Sequence, residues 1–198
     1  MADFNIVRLS PTADIPPFDC GNEDINDFLA HDAVDYQDGL LAVTYMVVSE
    51  GNLLGYFCLL NDKLAYLPED KGAWNKVNRK VRNHKRMKSY PAVKIGRLGT
   101  QMSSAHMGIG RDVIDFIKLL FIQSNKTGCR FLTVDAHKDA VGFYLKCGFS
   151  FFTDTDTEDE TRLMYYDLKP FKDMYEMSDY AGEVDTSSVE AMTKSILG

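Results

Sequence analysis

The sequence predicts a mixed α/β (α+β) domain with one central strand–helix–strand unit. Three observations support this fold class. A turn joins two apolar runs near residues 40–60, a glycine pair links a strand to an amphipathic helix near residues 92–126, and two short strands flank an acidic turn near residues 149–168. The 198 residues are enough for one such domain with a buried core.

The first half of the chain predicts a strand, a helix and a hairpin. Residues 5–9 form a short apolar run, and Asn22 is a good N-cap for a helix that continues to about residue 37. Residues 40–49 and 53–60 are rich in β-branched and aromatic side chains, with a glycine-containing turn between them. These two runs are therefore expected to pair as antiparallel neighbours.

The second half alternates strands and helices. Its strongest signal is the helix that follows the glycine pair, because Val113, Ile114, Ile117 and Leu120 lie on one face at helical spacing. From about residue 174 the chain is polar and aperiodic. The expected elements are a helix at 73–82, a strand at 92–100, helix 111–126, a buried strand at 131–136, a helix at 138–147, strands at 149–153 and 162–168, and a last helix near 189–196.

Charge is segregated along the chain. The net charge is −7, but the segment 71–88 holds eight Lys and Arg residues and no acid, so the rest carries −15. The acidic total disfavours nucleic acid or membrane as a partner. The basic segment has the opposite implication, since its cations would contact RNA phosphates while Trp74 and His84 stack on a base. A solvated surface helix neutralised by the acidic turn 154–160 or by a partner is the alternative.

Neither a membrane protein nor a metalloprotein is indicated. No segment has the length and apolar character of a membrane span, and the N-terminus lacks a signal-peptide pattern, so we expect a cytoplasmic protein. The cysteines contain no Cys-x-x-Cys pair and have no histidine at ligand spacing, which favours free thiols and no metal site. The cysteines are Cys20, Cys58, Cys129 and Cys147.

The glycine pair Gly108-Ile109-Gly110 stands where a strand turns into a helix. Such a turn lets backbone approach a ligand, and the helix N-terminus suits a phosphate, although a plain tight turn is the alternative. The dinucleotide fingerprint requires a third glycine where this chain has Val113, even though Asp135 would suit a ribose. A P-loop requires Gly-Lys-Ser/Thr, but Arg111 follows the second glycine.

A second motif, Ala140-x-x-Phe143-Tyr144-x-x-x-Gly148-Phe149, follows about thirty residues later. Together the two motifs resemble the signatures of the GCN5-related N-acetyltransferases, and the resemblance extends from about residue 5 to 168. It implies a mixed, mostly antiparallel central sheet flanked by helices. It also implies a catalytic domain at 1–170 with a basic insertion at 67–90, and a C-terminal extension at 171–198. Acetyl-CoA would be the co-substrate and a primary amine the acceptor, with no metal.

The resemblance assigns roles to individual residues. Pyrophosphate would bind at the glycine pair, pantetheine would run along Leu98-Gly99-Thr100, and Tyr144 would protonate the CoA thiolate as general acid. Ala105 stands where the family usually has Gln or Arg, and His137 stands where it commonly has Asn. A non-catalytic acyl-CoA-binding module is therefore an alternative. The cofactor-binding candidates are Leu98, Gly99, Thr100, Ala105, His106, Met107, Gly108, Ile109, Gly110, Arg111, His137, Ala140 and Phe143.

Two further stretches resemble one branch of that family. The segment 18–29 and the run Gly96-Arg97-Leu98 are similar to acetyltransferase toxins of toxin–antitoxin pairs, which acetylate the α-amine of aminoacyl-tRNA. This branch implies tRNA and an antitoxin protein as partners, and it leaves a homodimer open. An α-amine, with a pKa near ~7.7, is neutral at pH 7 far more often than a lysine amine near ~10.4. The candidate RNA contacts are Arg79, Arg82, Lys85 and Arg86.

Overall fold

The structure, a computed structural model, describes residues 4–82, 87–123, 125 and 127–177. A seven-stranded sheet in the order β1-β2-β3-β4-β5-β7-β6 forms its centre, and only the β4–β5 pair is parallel. The predicted fold class, a mostly antiparallel sheet flanked by helices, is confirmed. The strands are β1 (Asn5–Arg8), β2 (Val43–Ser49), β3 (Asn52–Ala65), β4 (Ser89–Thr100), β5 (Phe131–His137), β6 (Ser150–Phe151) and β7 (Thr161–Asp167).

Helices cover both faces of the sheet. The first helical segment begins at its N-cap Asn22 and contains a π-helical turn, Phe28–Asp32, between α1 and α2. None of the helices in the described ranges is long and apolar enough to cross a membrane. The α-helices are α1 (Glu23–Asp27), α2 (Ala33–Asp38), α3 (Lys71–Lys80), α4 (Ile109–Gln123), α5 (Val141–Lys146) and α6 (Leu168–Met177).

Several boundaries differ from the predicted ones. Strand β4 begins at Ser89 and includes Pro91, which the sequence placed in a loop. Pro91 is tolerated because it lies near the start of the strand, and its carbonyl accepts the amide of Arg130 at 3.0 Å. Helix α6 begins at Leu168, where a strand was expected to end, and continues into the region that looked aperiodic from about residue 174. The division at residue 170 into a catalytic domain and a C-terminal extension stays a prediction. The helix expected near 189–196 lies outside the described residues.

The two faces of the sheet bury separate clusters. Helix α4 packs its predicted stripe, including Val113, Ile114 and Ile117, on one face, together with Leu132 and Val134 of β5. Because side chains alternate along a strand, Phe131 of β5 points to the other face, which we call the α3 face. There α1, the π-helical turn and α2 cover β2 and β3, while α3 covers the first half of β4.

Trp74 attaches α3 to the sheet. The indole is 5% exposed and stacks on the ring of Tyr90 at 5.2 Å. The expectation that Trp74 stacks on an RNA base is therefore wrong, because its helical position turns it inward with Val77. His84, the other residue named for stacking, lies outside the described residues.

Strands β4 and β5 pair over only three residues each. Ala92, Val93 and Lys94 pair with residues 131–133, and beyond these the strands continue to Thr100 and His137 without pairing to each other. A bulge in β4 accompanies this separation, because the register with β3 skips Gly96. A Cβ on Gly96 would lie 2.6 Å from a methyl of Leu60 and 3.0 Å from Sγ of Cys58, so a larger residue at the bulge would displace these side chains. We call the opening between residues 95–100 and 134–137 the β4–β5 fork.

Candidate functional site

The glycine turn presents free backbone amides at the start of α4. Gly108 has φ +86, a conformation that favours glycine, and nothing lies within 4 Å of the position its Cβ would take. Its carbonyl accepts the amides of Arg111 at 2.9 Å and Asp112 at 3.1 Å. Within the described part of the chain, the amides of residues 108–110 have no hydrogen-bond partner, as expected ahead of a first helical turn. This arrangement suits a phosphate group.

Three parts of the predicted site meet at Gly110. A Cβ at this position would lie 3.3 Å from the ring of Phe143 and 3.8 Å from the Thr100 side chain. The end of β4, the start of α4 and helix α5 therefore come together at the open end of the fork. The structure brings together the residues of the two signature motifs, which the sequence separates by about thirty positions.

The N-terminal motif packs against the β4 arm of the fork. A Cβ on Gly99 would lie 2.8 Å from Ile25, 3.1 Å from Phe18 and 3.3 Å from Cys20. The amide of Asp19 also donates to the Gln101 side chain at 2.7 Å. Gly99 is thus needed for close approach of segment 18–29, in addition to its predicted place beside pantetheine.

Tyr144 lies on α5 in the core cluster beside α4. It is 5% exposed, and its ring makes edge contacts with Phe143 at 5.1 Å and Phe149 at 5.3 Å. Burial raises the pKa of its phenol above the usual value, with smaller contributions from Cys147 and Cys58. The hydroxyl has no hydrogen bond to any described residue, so the neutral phenol keeps its proton available for another group.

The rim of the fork is open to solvent. His106, with φ +65, is exposed, as are Ala105 and Met107 in the same loop. His137 is exposed at the end of β5, and Ala140 is half-buried just before α5. Leu98 and Arg111 complete the candidates at this end of the sheet; Leu98 is half-buried, and Arg111 is exposed on the first turn of α4.

The candidate RNA contacts lie elsewhere. Arg79 and Arg82 are exposed on or just after α3, which packs over Tyr90 near the start of β4. Tyr90 and Thr100 are ten positions apart on β4, which corresponds to about 33 Å along an extended strand. Lys85 and Arg86 lie outside the described residues.

The acidic turn 154–160 does not pair with α3. Its Asp156 binds Arg162 at 2.6 Å. None of the ion pairs among the described residues includes Lys71, Lys76, Arg79 or Arg82. The alternative that the acidic turn neutralises this helix by direct pairing therefore has no support in the described residues.

Sequence reasoning missed the partner of one charged group near the site and the burial of another. Asp135, considered as a ribose ligand, forms an ion pair with Lys94 at the base of the fork. Lys118 is 6% exposed on α4. Its spacing of four from Ile114 is the signal that could have placed it on the buried face. In the part of the chain that the structure describes, no three His, Cys, Asp or Glu side chains are grouped to hold a metal ion.

Comparison with known proteins defines the class of this fold. No protein-family model and no curated protein matches the sequence. Solved structures match it over nearly their whole length, and the chain has the fold of the GCN5-related N-acetyltransferases, as the two motifs predicted.

The matching structures include two named toxins. A tyrosine-to-phenylalanine mutant of KacT is 26% identical, with a TM-score of 0.70, covering 86% of this chain and 98% of that one. AtaT complexed with acetyl-methionyl-tRNAfMet is 24% identical, with a TM-score of 0.70, covering 87% and 99%. A mutant AtaT toxin bound to the C-terminus of the antitoxin AtaR and acetyl-CoA is 22% identical, with a TM-score of 0.67, covering 88% and 99%. The predicted resemblance to the toxin branch is thus confirmed for the fold.

Proposed function

We propose that this chain is an N-acetyltransferase that binds acetyl-CoA and transfers the acetyl group directly to a primary amine. The observation that carries the proposal is the glycine turn of α4, whose amides have no hydrogen-bond partner among the described residues and lie beside the β4–β5 fork. The pyrophosphate of acetyl-CoA would accept hydrogen bonds from residues 108–110. An AtaT structure bound to acetyl-CoA has the same fold, which supports this choice of co-substrate.

The fork supplies a second element of fit. Beyond Lys94, the edge of β4 that faces β5 carries backbone groups without a strand partner. Such groups need hydrogen-bond partners, and the amide-bearing pantetheine arm can act as an added strand. Leu98, Gly99 and Thr100 are the β4 residues nearest the glycine turn, and we assign them this role.

Tyr144 is the proposed proton donor. The neutral amine attacks the thioester carbonyl, so that the carbon–nitrogen bond forms and the carbon–sulfur bond breaks. The Tyr144 hydroxyl then gives its proton to the departing thiolate. The amine loses its extra proton to solvent, and the Tyr144 phenolate takes a proton back from solvent, so that the donor is regenerated. Because burial raises the pKa of this phenol, the donor stays protonated throughout the physiological range.

Thermal unfolding with and without acetyl-CoA tests the proposal, with NAD as the control ligand. At one hundred times the dissociation constant, acetyl-CoA should stabilise the chain by about 2.7 kcal/mol, a rise in Tm of roughly 5–10 °C for a domain of this size. Release of CoA thiol with a panel of amines then tests turnover. A shift without thiol release would favour the non-catalytic acyl-CoA-binding module, and no shift would contradict both.

A narrower candidate function is acetylation of the α-amine of aminoacyl-tRNA. The specific observation is the exposed pair Arg79 and Arg82, which form no ion pair with a described residue. Helix α3 packs at the Tyr90 end of β4, about 33 Å along the strand from Thr100 at the fork. A small amine in the fork cannot also contact α3, but an RNA can span this distance. AtaT, with the same fold, has been solved with acetyl-methionyl-tRNAfMet, and by the same likeness an antitoxin protein is a proposed partner.

The double substitution Arg79→Ala and Arg82→Ala should weaken tRNA binding at least about tenfold. The association constant should also fall less steeply with salt, with the slope of its logarithm against log salt concentration reduced in magnitude by roughly 0.9 per lost phosphate contact. Acetyl-CoA binding should not change, because α3 lies at the other end of β4. Filter binding at several salt concentrations measures the first effect, and thermal shift the second.

Lys169→Ala with Lys172→Ala is the matched control. It also removes two exposed positive charges, but on α6, where each lysine pairs with an acid one turn away. The tRNA interpretation fails if the α3 variant binds tRNA as tightly as the α6 variant does.

A further inference from the structure

Lys118 is a buried lysine that the proposed site does not use. It lies on α4 and is 6% exposed. Its ammonium donates to Oδ1 of Asp115 at 2.8 Å and to the backbone carbonyl of Cys147 at 3.0 Å. Lysine is almost never fully buried unless its charge is paired. The position of this side chain is therefore set by these two acceptors.

The carbonyl of Cys147 lies at the C-terminal end of α5. This helix has six residues, far fewer than an isolated helix needs for stability. The last carbonyls of a helix have no intrahelical partner, and a cation there complements the helix dipole. Lys118 therefore supplies a tertiary contact that holds the end of α5 in place.

The same ammonium joins α5 to the elements behind it. It faces the ring of Tyr166 on β7 at 4.7 Å and the ring of Phe171 on α6 at 5.8 Å. Gly148, which follows the end of α5 with φ +87, also packs against Tyr166, since a Cβ there would lie 3.1 Å from that ring. One side chain thus links α4, the end of α5, β7 and α6.

Tyr144 is only one turn from the carbonyl that Lys118 binds. Its own carbonyl accepts the amide of Cys147 at 3.1 Å and that of Phe149 at 3.0 Å. We propose that Lys118 is a positioning residue for the acetyl transfer: its ammonium fixes the end of α5 and so fixes the Tyr144 hydroxyl. This inference rests on the proposed function, in which Tyr144 protonates the thiolate.

A double-mutant cycle separates positioning from general stability. Lys118→Met, which keeps the unbranched side chain as far as Cε but removes the ammonium, should lower kcat about tenfold with KM for acetyl-CoA within about twofold. Lys118→Arg should recover much of the rate. In a Tyr144→Phe background, Lys118→Met should change kcat by less than about twofold, because no donor remains to be positioned. Equal losses in both backgrounds would overturn the proposal.

Hydrogen exchange gives a readout that needs no activity. In Lys118→Met, the amides of Cys147, Gly148 and Phe149 should exchange faster, while that of Val134 on β5 should not change. Unchanged protection at the end of α5 would also overturn the proposal. If Lys118→Met does not fold, the same measurements are made on Asp115→Asn. The Asp115 side chain is half-exposed, and this substitution removes only one of the two partners of the Lys118 ammonium. A wild-type chain without thiol release contradicts the proposed function, while the exchange result still decides whether Lys118 holds α5.

Discussion

Gly108→Ala should weaken acetyl-CoA binding about a hundredfold, equivalent to about 2.7 kcal/mol. At φ +86 an alanine is strained, and its Cβ would occupy the open space beside the free amides of the α4 N-terminus. The phosphate-binding turn would lose both its backbone shape and the room for its ligand. Isothermal titration with acetyl-CoA measures the change.

Gly51→Ala is the matched control for this substitution. Gly51 also has a left-handed conformation, φ +80, with nothing within 4 Å of its Cβ position, but it lies in the β2–β3 turn. Both variants should lose a similar amount of stability, and only Gly108→Ala should lose acetyl-CoA affinity. Equal acetyl-CoA affinities in the two variants would show that the glycine turn does not hold the phosphates.

Tyr144→Phe should lower kcat by about a hundredfold or more, within the range for loss of a general acid. Acetyl-CoA affinity and Tm should change little, because the hydroxyl makes no hydrogen bond to a described residue and the ring contacts remain. Tyr45→Phe is the control, since it removes another buried phenol hydroxyl, on β2, with a pKa that burial also raises. Steady-state thiol release compares the two, and an equal kcat in both variants would exclude Tyr144 as the donor.

The pH dependence of the wild-type rate follows from the same phenol. Burial disfavours the charged phenolate, so the pKa of Tyr144 lies above its usual value and the proton donor is retained as the pH rises. The acceptor amine loses its proton over the same range and becomes nucleophilic. The rate should therefore increase with pH and show no fall from Tyr144 below about pH 10.

Local patterns in the sequence predicted most elements of the fold. The β2–β3 hairpin and the stripe of α4 were confirmed because their signals, a glycine turn and helical spacing, lie within short windows. The inward position of Trp74 was missed because a surface with many cations suggested an exposed helix. Helix α6 was missed although Leu168, Phe171 and Tyr175 recur at helical spacing, because the residues before it were assigned to a strand and those from 174 were taken as aperiodic.

Local motifs supplied the candidate residues of the site but only part of its geometry. Gly108 is a candidate because it stands between a strand and a helix, and nothing lies within 4 Å of the position of its Cβ. The bulge at Gly96 and the early end of the β4–β5 pairing depend on register between distant strands, which local sequence does not encode. The contact of Gly99 with segment 18–29 likewise joins residues about eighty positions apart.

The short pairing of β4 with β5 has a consequence for the mechanics of the whole sheet. Among the described residues, the strand pairing that joins β1–β4 to β5, β7 and β6 consists of three residue pairs. Side-chain contacts such as the Lys94–Asp135 ion pair, the helices packed on the sheet and any molecule that enters the fork supply the other contacts across this joint. A ligand bound there touches both halves and supplies contacts that the chain alone lacks. The unfolding transition should therefore be more cooperative with the ligand bound than without it, because the bound ligand contacts both halves of the sheet.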